Sequence, residues 1–359
     1  MKSVYDYLPA INANTAEEMA EQAGLDFTAV KVDIKYTYVQ KTEEVDSGYL
    51  NFIKGLMEDG SKESIAEAET LLSNADRMNV TKEIEAVVPD KVAVIREDDG
   101  RYLGTVGRER GLLQYKDMLA FTGALVSEGT ASYVTGGITG NGEQAFVVMK
   151  TNNAIKLSGT DDVECYFYVT TSHDSSKGLS LVLAPLRSTN GTVLSTPKSY
   201  RLSFRHSSRV EDRVKRATLS VKKLNTYFEE METSFRLLRS VNITRDQFNV
   251  FVKSLFPDPE ERTKQTENIR DEITGIYNSG PACQLPSTKG TMLGAYMAVV
   301  EWVDKIRNVK SSKVRPNEYD AKLHSLLEGS GAQQKADAYA FALDMVEQLK
   351  NVSLAGSMV

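Results

Sequence analysis

The sequence is poor in the residues that build metal centres. Its 359 residues contain two cysteines, Cys165 and Cys283, and three histidines, His173, His206 and His324. These are too few soft ligands for a zinc knuckle or an iron–sulfur cluster, so neither a metal nor a cofactor is expected. Long apolar runs are missing too: no stretch approaches the roughly 18 residues that span a bilayer. The first residues, MKSVYDYLPA, lack the charged-then-apolar order of a secretory signal, and the expected location is the cytoplasm, away from membranes. No internal repeat and no low-complexity tract occurs, and there is no Gly-x-Ser-x-Gly nucleophile elbow. With 41% hydrophobic and 26% charged residues, what is present is an ordinary globular composition, long enough for two domains or one large elaborated core.

Charge is unevenly distributed. The net value is −6, but residues 1 to 100 hold 10 basic and 21 acidic side chains. The opposite excess is concentrated between Lys198 and Lys223, where nine cations face two anions, Glu211 and Asp212, within 26 residues. A block of this density neutralises phosphates, because each Lys or Arg contact releases counterions condensed on a nucleic acid. The plain alternative is the solvated face of an amphipathic helix.

Local patterns predict an α+β fold: a mostly antiparallel sheet of hairpins packed on helices, then a long basic helix and a helical C-terminal third. Thr15-Ala-Glu-Glu18 reads as a capping box for a helix that stops at Gly24. Val30, Val32, Ile34, Tyr36 and Tyr38 alternate with polar residues as in a strand with one wet face. Residues 41 to 85 read as an acidic helical insertion, with Ser61 able to cap a helix. Val92 to Ile95 and Tyr102 to Val106 form a hairpin around Asp98-Asp99-Gly100, and Tyr115 to Ser127 has helical spacing ended by Gly129. A second hairpin runs from Ala131 to Thr151. Strands follow at 163 to 171 and 179 to 186, the first with Cys165, Phe167 and Val169 inward and Tyr166 and Tyr168 outward, and a short one at 199 to 205. Val210, Val214, Ala217, Val221, Leu224, Phe228, Met231, Phe235 and Leu238 recur at three and four residues, which predicts one long amphipathic helix. Further helices are expected at 244–255, 259–277, 291–307 and 317–349, the last interrupted near Gly329. The expected organisation is a β-rich region, 1–206, and a helical region, 207–359, packed on it as one continuous unit.

Few motifs carry chemistry. Gly136-Gly137-Ile138-Thr139-Gly140-Asn141-Gly142 is glycine-rich, but no Lys-Ser or Lys-Thr follows it. It reads as a hairpin tip whose amides could still meet a backbone phosphate. Ser172-His173-Asp174-Ser175-Ser176 places a base beside an acid and hydroxyls, yet catalytic triads converge from separate segments, so a loop or an anion contact is the better reading. The anion case is stronger at Arg205-His206-Ser207-Ser208-Arg209, just before the long helix. Tyr166, Tyr168, Tyr200 and Tyr227 are the aromatics nearest the basic region and the candidates for base stacking. Trp302 is read as packing.

Taken in order, several segments resemble a phage- and plasmid-borne family, domain of unknown function 932. They are Ala20 to Val30, Leu103-Gly104-Thr105-Val106-Gly107, Gln114 to Val126, Tyr168 to Leu186 with Ser172-His173-Asp174, Phe204-Arg205-His206, and Gly290 to Asp304. Departures include Phe27, where tryptophan is common, and Leu186-Arg187-Ser188-Thr189-Asn190-Gly191-Thr192, which lacks the family's cysteine. The resemblance implies mobile-element biology in a bacterial host cytoplasm. The order of helix, hairpin, strands and basic helix is also similar to the core of RecT-, beta- and Rad-type single-strand annealing proteins. The resulting expectation is a noncatalytic DNA-binding protein, single-strand binding or annealing, acting as a self-associated assembly. Lys198, Arg201, Arg205, His206, Arg209, Arg213, Lys215 and Arg216 would bind phosphate, with possible loop contacts from His173, Asp174 and Arg187. The alternative is an interaction factor for a host or phage protein that uses the acidic N-terminal third. A third class, an enzyme built on His173 and Asp174, needs a further partner group.

Overall fold

Thr15 opens the first helix, α1 (Ala16–Ala23): its hydroxyl accepts from the Glu18 N–H at 3.2 Å, and Gly24 closes it with φ of 65°, a conformation glycine adopts without penalty. The computed structural model describes residues 8, 10–159, 161–174, 176–194, 201–204, 226–258, 264–312 and 317–356, with backbone alone at 77–80, 201, 204 and 352–356. The chain divides into two compact units, one of residues 1–30, 94–106 and 110–359, the other of 31–93 and 107–109.

The smaller unit is a two-stranded ribbon with two helices at its turn. β1 (Ala29–Val45) and β2 (Arg77–Arg96) pair, and β3 (Tyr102–Gly107) joins the other edge of β2. Between the two long strands lie α2 (Ser47–Glu58), capped by Asp46, and α3 (Lys62–Ser73), capped by Ser61. The expected helical insertion is thus narrower than 41–85. Residues 41–45 and 77–85 are strand, because a ribbon wet on both sides tolerates charge: Lys35 pairs with Glu85 at 2.6 Å and Lys82 with Glu44 at 2.5 Å.

In the larger unit the order across the main antiparallel sheet is β10-β7-β6-β5-β4. Its strands are β4 (Ala131–Thr139), β5 (Gln144–Ser158), β6 (Asp161–Ser172), β7 (Leu179–Leu183) and β10 (Arg201–Phe204). Two short strands, β8 (Leu186–Arg187) and β9 (Thr192–Val193), extend the sheet where β8 pairs with β6. One face is covered by α1 and by α4 (Tyr115–Ser127). These helices cross so closely that a Cβ at Gly123 would lie 3.1 Å from that of Ala16.

The opposite face corrects the expected strand polarity. Tyr166 and Tyr168 do not face water: they are 7% and 4% exposed and pack with Phe146, Val148, Leu323 and Leu327. β6 is buried on both sides because α9 (Glu318–Leu327) lies over the second one, the situation that turns alternation into a continuous apolar run.

The helices after the sheet belong to this same unit. α5, described over 226–240, buries Phe228, Met231, Phe235 and Leu238, four of the nine positions picked out by spacing; Val210, Val214, Ala217, Val221 and Leu224 lie outside the described residues. α6 (Arg245–Leu255) starts at a reciprocal capping box of Thr244 and Gln247. α7 (Lys264–Ser279) and α8 (Met292–Glu301) follow. α8 is buried on every side from Met292 to Val300 and runs into a wide π turn, Trp302–Ile306. Trp302 is a packing residue: its indole N–H donates to Glu272 at 2.7 Å. α10 (Ser330–Gly356) ends the chain's helical part. Among the described residues, no helix is long and apolar enough to cross a membrane.

Candidate functional site

Four of the resembling segments, 20–30, 103–107, 114–126 and 168–186, meet at one end of the main sheet. β3 passes so close to the loop after β6 that a Cβ on Gly104 would lie 2.7 Å from Asp174 Cα. Only glycine fits there. The loop is tied to the β4–β5 tip by the His173 N–H, which donates to the Glu143 carbonyl at 2.7 Å.

His173 sits at the buried base of a compact column of three mutually touching rings, Phe27 reaching the imidazole as well, with centroids 5.9 Å apart. Tyr115, the first residue of α4, stacks on the imidazole with centroids 4.1 Å apart and an interplanar angle of 26°. Its hydroxyl donates to the Gly142 carbonyl at 2.6 Å, and burial, with help from Glu143 and Asp174, pushes its pKa well above the ordinary phenol value. Phe27 meets Tyr115 edge-on at 5.2 Å. The Arg96 guanidinium closes the outer end, 4.0 Å from the Phe27 ring centroid, a cation–π contact. The column is dry at its base: His173 is 1% and Tyr115 0% exposed.

Asp174 turns away from that column. Its Oδ1 accepts from the Ser176 hydroxyl at 2.5 Å and the Ser176 N–H at 2.8 Å, and its Oδ2 from Gln144 at 3.4 Å. Burial opposes its ionisation, but these hydrogen bonds, with one from Ser172, outweigh it and hold the carboxyl below its ordinary value. The neighbouring base and acid thus enter different contacts, His173 the ring stack and Asp174 the turn at Ser176.

The glycine-rich tip is also filled from within. A Cβ on Gly140 would lie 2.0 Å from the Glu143 carboxylate, and the Asn141 N–H donates to that carboxylate at 2.6 Å. Glu143 occupies the place a phosphate oxygen would take. Beside the column a cleft of about 290 Å³ is lined by Asp26, Phe27, Thr28, Glu97 and Asp98. Three carboxylates make it unfavourable for an anion. Among the described residues, no cluster of three or more His, Cys, Asp or Glu is placed to hold a metal.

Arg187 lies in the interior rather than on a loop surface. Its Nε and Nη2 donate to the two Asp161 oxygens at 2.8 and 2.7 Å, and Nη2 donates also to the Ala282 carbonyl at 2.8 Å. Thr189 and Ser287 donate to the same carboxylate at 2.6 and 2.5 Å. Nearby, Asn190 donates to Glu301 at 3.0 Å. The Val193 N–H donates to Asp304 at 2.7 Å, and the fully buried Lys335 donates to Asp304 at 2.9 Å and to the Val193 carbonyl at 2.6 Å. Lys177 pairs with Glu328, joining the loop after β6 to the end of α9. This polar seam fastens the C-terminal helices to the sheet. Sequence reasoning missed Asp161, Glu301, Asp304 and Lys335. The signal available was Glu301 and Asp304, two charges three residues apart at the end of an otherwise apolar run.

The phosphate-binding residues expected from sequence fall largely elsewhere. Lys198, Arg205, His206, Arg209, Arg213, Lys215 and Arg216, with Tyr200, lie outside the described residues, and Arg201 is described by its backbone alone, on β10. Tyr227 is half-buried on α5.

Residues 102–327, more than half the chain, match the model of a family described as domain of unknown function (DUF932). The chain belongs to that family. Comparison with curated proteins and with solved structures found no match. The DUF932 span contains Gly104, Tyr115, His173, Asp174 and the seam from Asp161 to Asp304, and leaves out the ribbon and its two helices.

Proposed function

We propose that this DUF932 protein is a noncatalytic nucleic-acid-binding protein whose ligand is single-stranded DNA, used in strand binding or annealing during phage or plasmid recombination. The reading rests on the cation density of residues 198–223, nine Lys or Arg against two acids in a chain of net charge −6. The described chain meets that segment at 201–204 and resumes after it at 226. Arg201 lies on β10, the edge strand, opposite Val182 of β7, and α5 holds the chain from 226 onward through four buried apolar residues. In this reading Lys198, Arg201, Arg205, Arg209, Arg213, Lys215 and Arg216 contact phosphate and His206 adds a donor.

Fluorescence anisotropy of labelled single- and double-stranded oligonucleotides, titrated across salt, tests this. The expected result is strand-selective binding whose log affinity falls with log salt by about 0.7 per phosphate neutralised. Reversing Arg205, Arg209, Arg213 and Arg216 to glutamate should abolish it. Binding that ignores those changes, or no binding at low salt by folded protein, overturns the assignment. A second reading, a factor directed at a host or phage protein, is favoured by a separate observation. Among the described residues, ten of the thirteen exposed large apolar side chains lie between 31 and 93, in the acidic smaller unit.

A further inference from the structure

Both faces of the ribbon in the smaller unit are open to water, and each carries exposed apolar side chains. Lys35 and Glu85 pair across the ribbon at 2.6 Å, which puts the odd residues of β1 and β2 on one side there and Ile34, Tyr36, Ile84 and Ala86 on the other. On that second side Val32, Tyr36 and Tyr38 are 36%, 48% and 43% exposed, and the two tyrosine rings stack at 5.9 Å. A two-stranded ribbon gains little stability alone in water; three or more strands with a buried face are the rule. Moreover, among the described residues, β1 has β2 on one side in its sheet and no strand on the other. A long edge with exposed apolar residues is a template for another strand.

We propose that β1 pairs antiparallel with β1 of a second copy of this chain, about a two-fold axis through Thr37. The charges along the strand select this occupant and this register. With Thr37 opposite its symmetry mate, Asp33 faces Lys41 and Lys31 faces Glu43, each twice, while Tyr36 faces Tyr38 across the join. A slip of two residues one way sets Lys31 against Lys41. A slip the other way sets Lys35 against Lys41 and Asp33 against Glu43. Like charges directly opposite one another destabilise a strand pair and opposite charges favour it. Of the registers this strand can take with a copy of itself, the one centred on Thr37 makes the most opposite-charge pairs and no like pair, so the lysines that would keep an arbitrary strand off this edge favour a second copy in this alignment. The result is a continuous six-stranded sheet, β3-β2-β1-β1-β2-β3, with the tyrosine faces of both copies on one side, an isologous contact that closes as a dimer. It involves none of residues 198–223 and stands or falls separately from nucleic-acid binding.

Cysteine cross-linking of the full chain tests the axis. Cys165 and Cys283 are buried and give little background. In Thr37→Cys the two thiols face each other across the axis, where paired Cα atoms lie about 4.5–5.5 Å apart. In Val39→Cys the two copies are displaced by four residues, beyond the roughly 7 Å limit for a disulfide. The expected result is a covalent dimer from Thr37→Cys under mild oxidation, at least tenfold less from Val39→Cys, and a dimer by light scattering for the unmodified protein. Lys41→Glu should weaken the dimer at least tenfold, and Asp33→Lys combined with Lys41→Glu should restore it. Thermal melting of each variant shows that the fold is kept. A monomer at tens of micromolar, equal cross-linking at 37 and 39, or a dimer indifferent to Lys41→Glu overturns the proposal.

Discussion

Tyr115 lies flat against His173, ring centroids 4.1 Å apart, while its hydroxyl bonds the Gly142 carbonyl at 2.6 Å. One side chain therefore joins a helix start, a loop and a hairpin tip. Tyr115→Phe keeps the stack and leaves a buried carbonyl without its donor, so a loss of about 1–3 kcal/mol is expected. Tyr115→Ala removes the stack as well and should lose about 3–5 kcal/mol. Urea melts of the two variants against the parent protein check the difference.

Gly104 makes the second prediction. Alanine there puts a methyl group 2.7 Å from Asp174 Cα, against backbone that no side-chain rotation relieves. Gly104→Ala should lower stability by about 1–3 kcal/mol, whereas alanine at Gly107, where an added Cβ meets nothing within 4 Å, should be close to neutral. Chemical denaturation of both variants provides the comparison.

Removing one partner of the buried Arg187–Asp161 pair leaves the other charge in a dry interior. Arg187→Met should cost about 3–5 kcal/mol and loosen the C-terminal helices, detected as faster amide exchange across α8. Unaltered exchange there would mean that the seam is not what fastens them.

Acid should act through the same carboxylates. Asp161 and Asp174 are both held below the ordinary aspartate value of 3.8, burial opposing ionisation in each and hydrogen bonds or Arg187 outweighing it. A depressed folded-state pKa means that the unfolded chain binds protons first as pH falls. Their contribution is complete above the unfolded value and is lost as pH drops below it toward the folded values. Melting temperatures measured between pH 6 and 2.5 should be level at the upper end and fall below about pH 4, with a shallower fall in Asp174→Asn.

The thiols give a fifth prediction. Burial pushes both Cys165 and Cys283 up to about 12, so neither is a thiolate at neutral pH. A thiol reagent should find no fast-reacting group in the native protein and two after denaturation.

Much of the fold was legible because its signals are local. Thr15 and Gly24 bound α1, Tyr115 to Ser127 is the observed α4, and Phe228, Met231, Phe235 and Leu238 are the buried stripe of α5. What sequence missed depends on partners far along the chain. Tyr166 and Tyr168 look like a wet face until α9 lies over them, and Glu43 and Glu44 look helical until the ribbon gives them a strand to continue. The site divides in the same way. Gly104 and His173 were marked as motif residues, but their closeness to Asp174 and Tyr115 is a matter of packing. Arg187 read as a surface cation because its partner, Asp161, sits 26 residues away in sequence.

The helix over the second sheet face also sets a timetable for synthesis. Tyr168 leaves the ribosome about 155 residues before Leu323, and at roughly 5–20 residues per second that interval lasts about 10–30 s. Throughout it the nascent sheet presents Phe146, Val148, Tyr166 and Tyr168 as a bare aromatic and aliphatic wall. A chain stalled between β10 and α9 is therefore a natural client for holding chaperones, and one that ends before Leu323 should be found in aggregates.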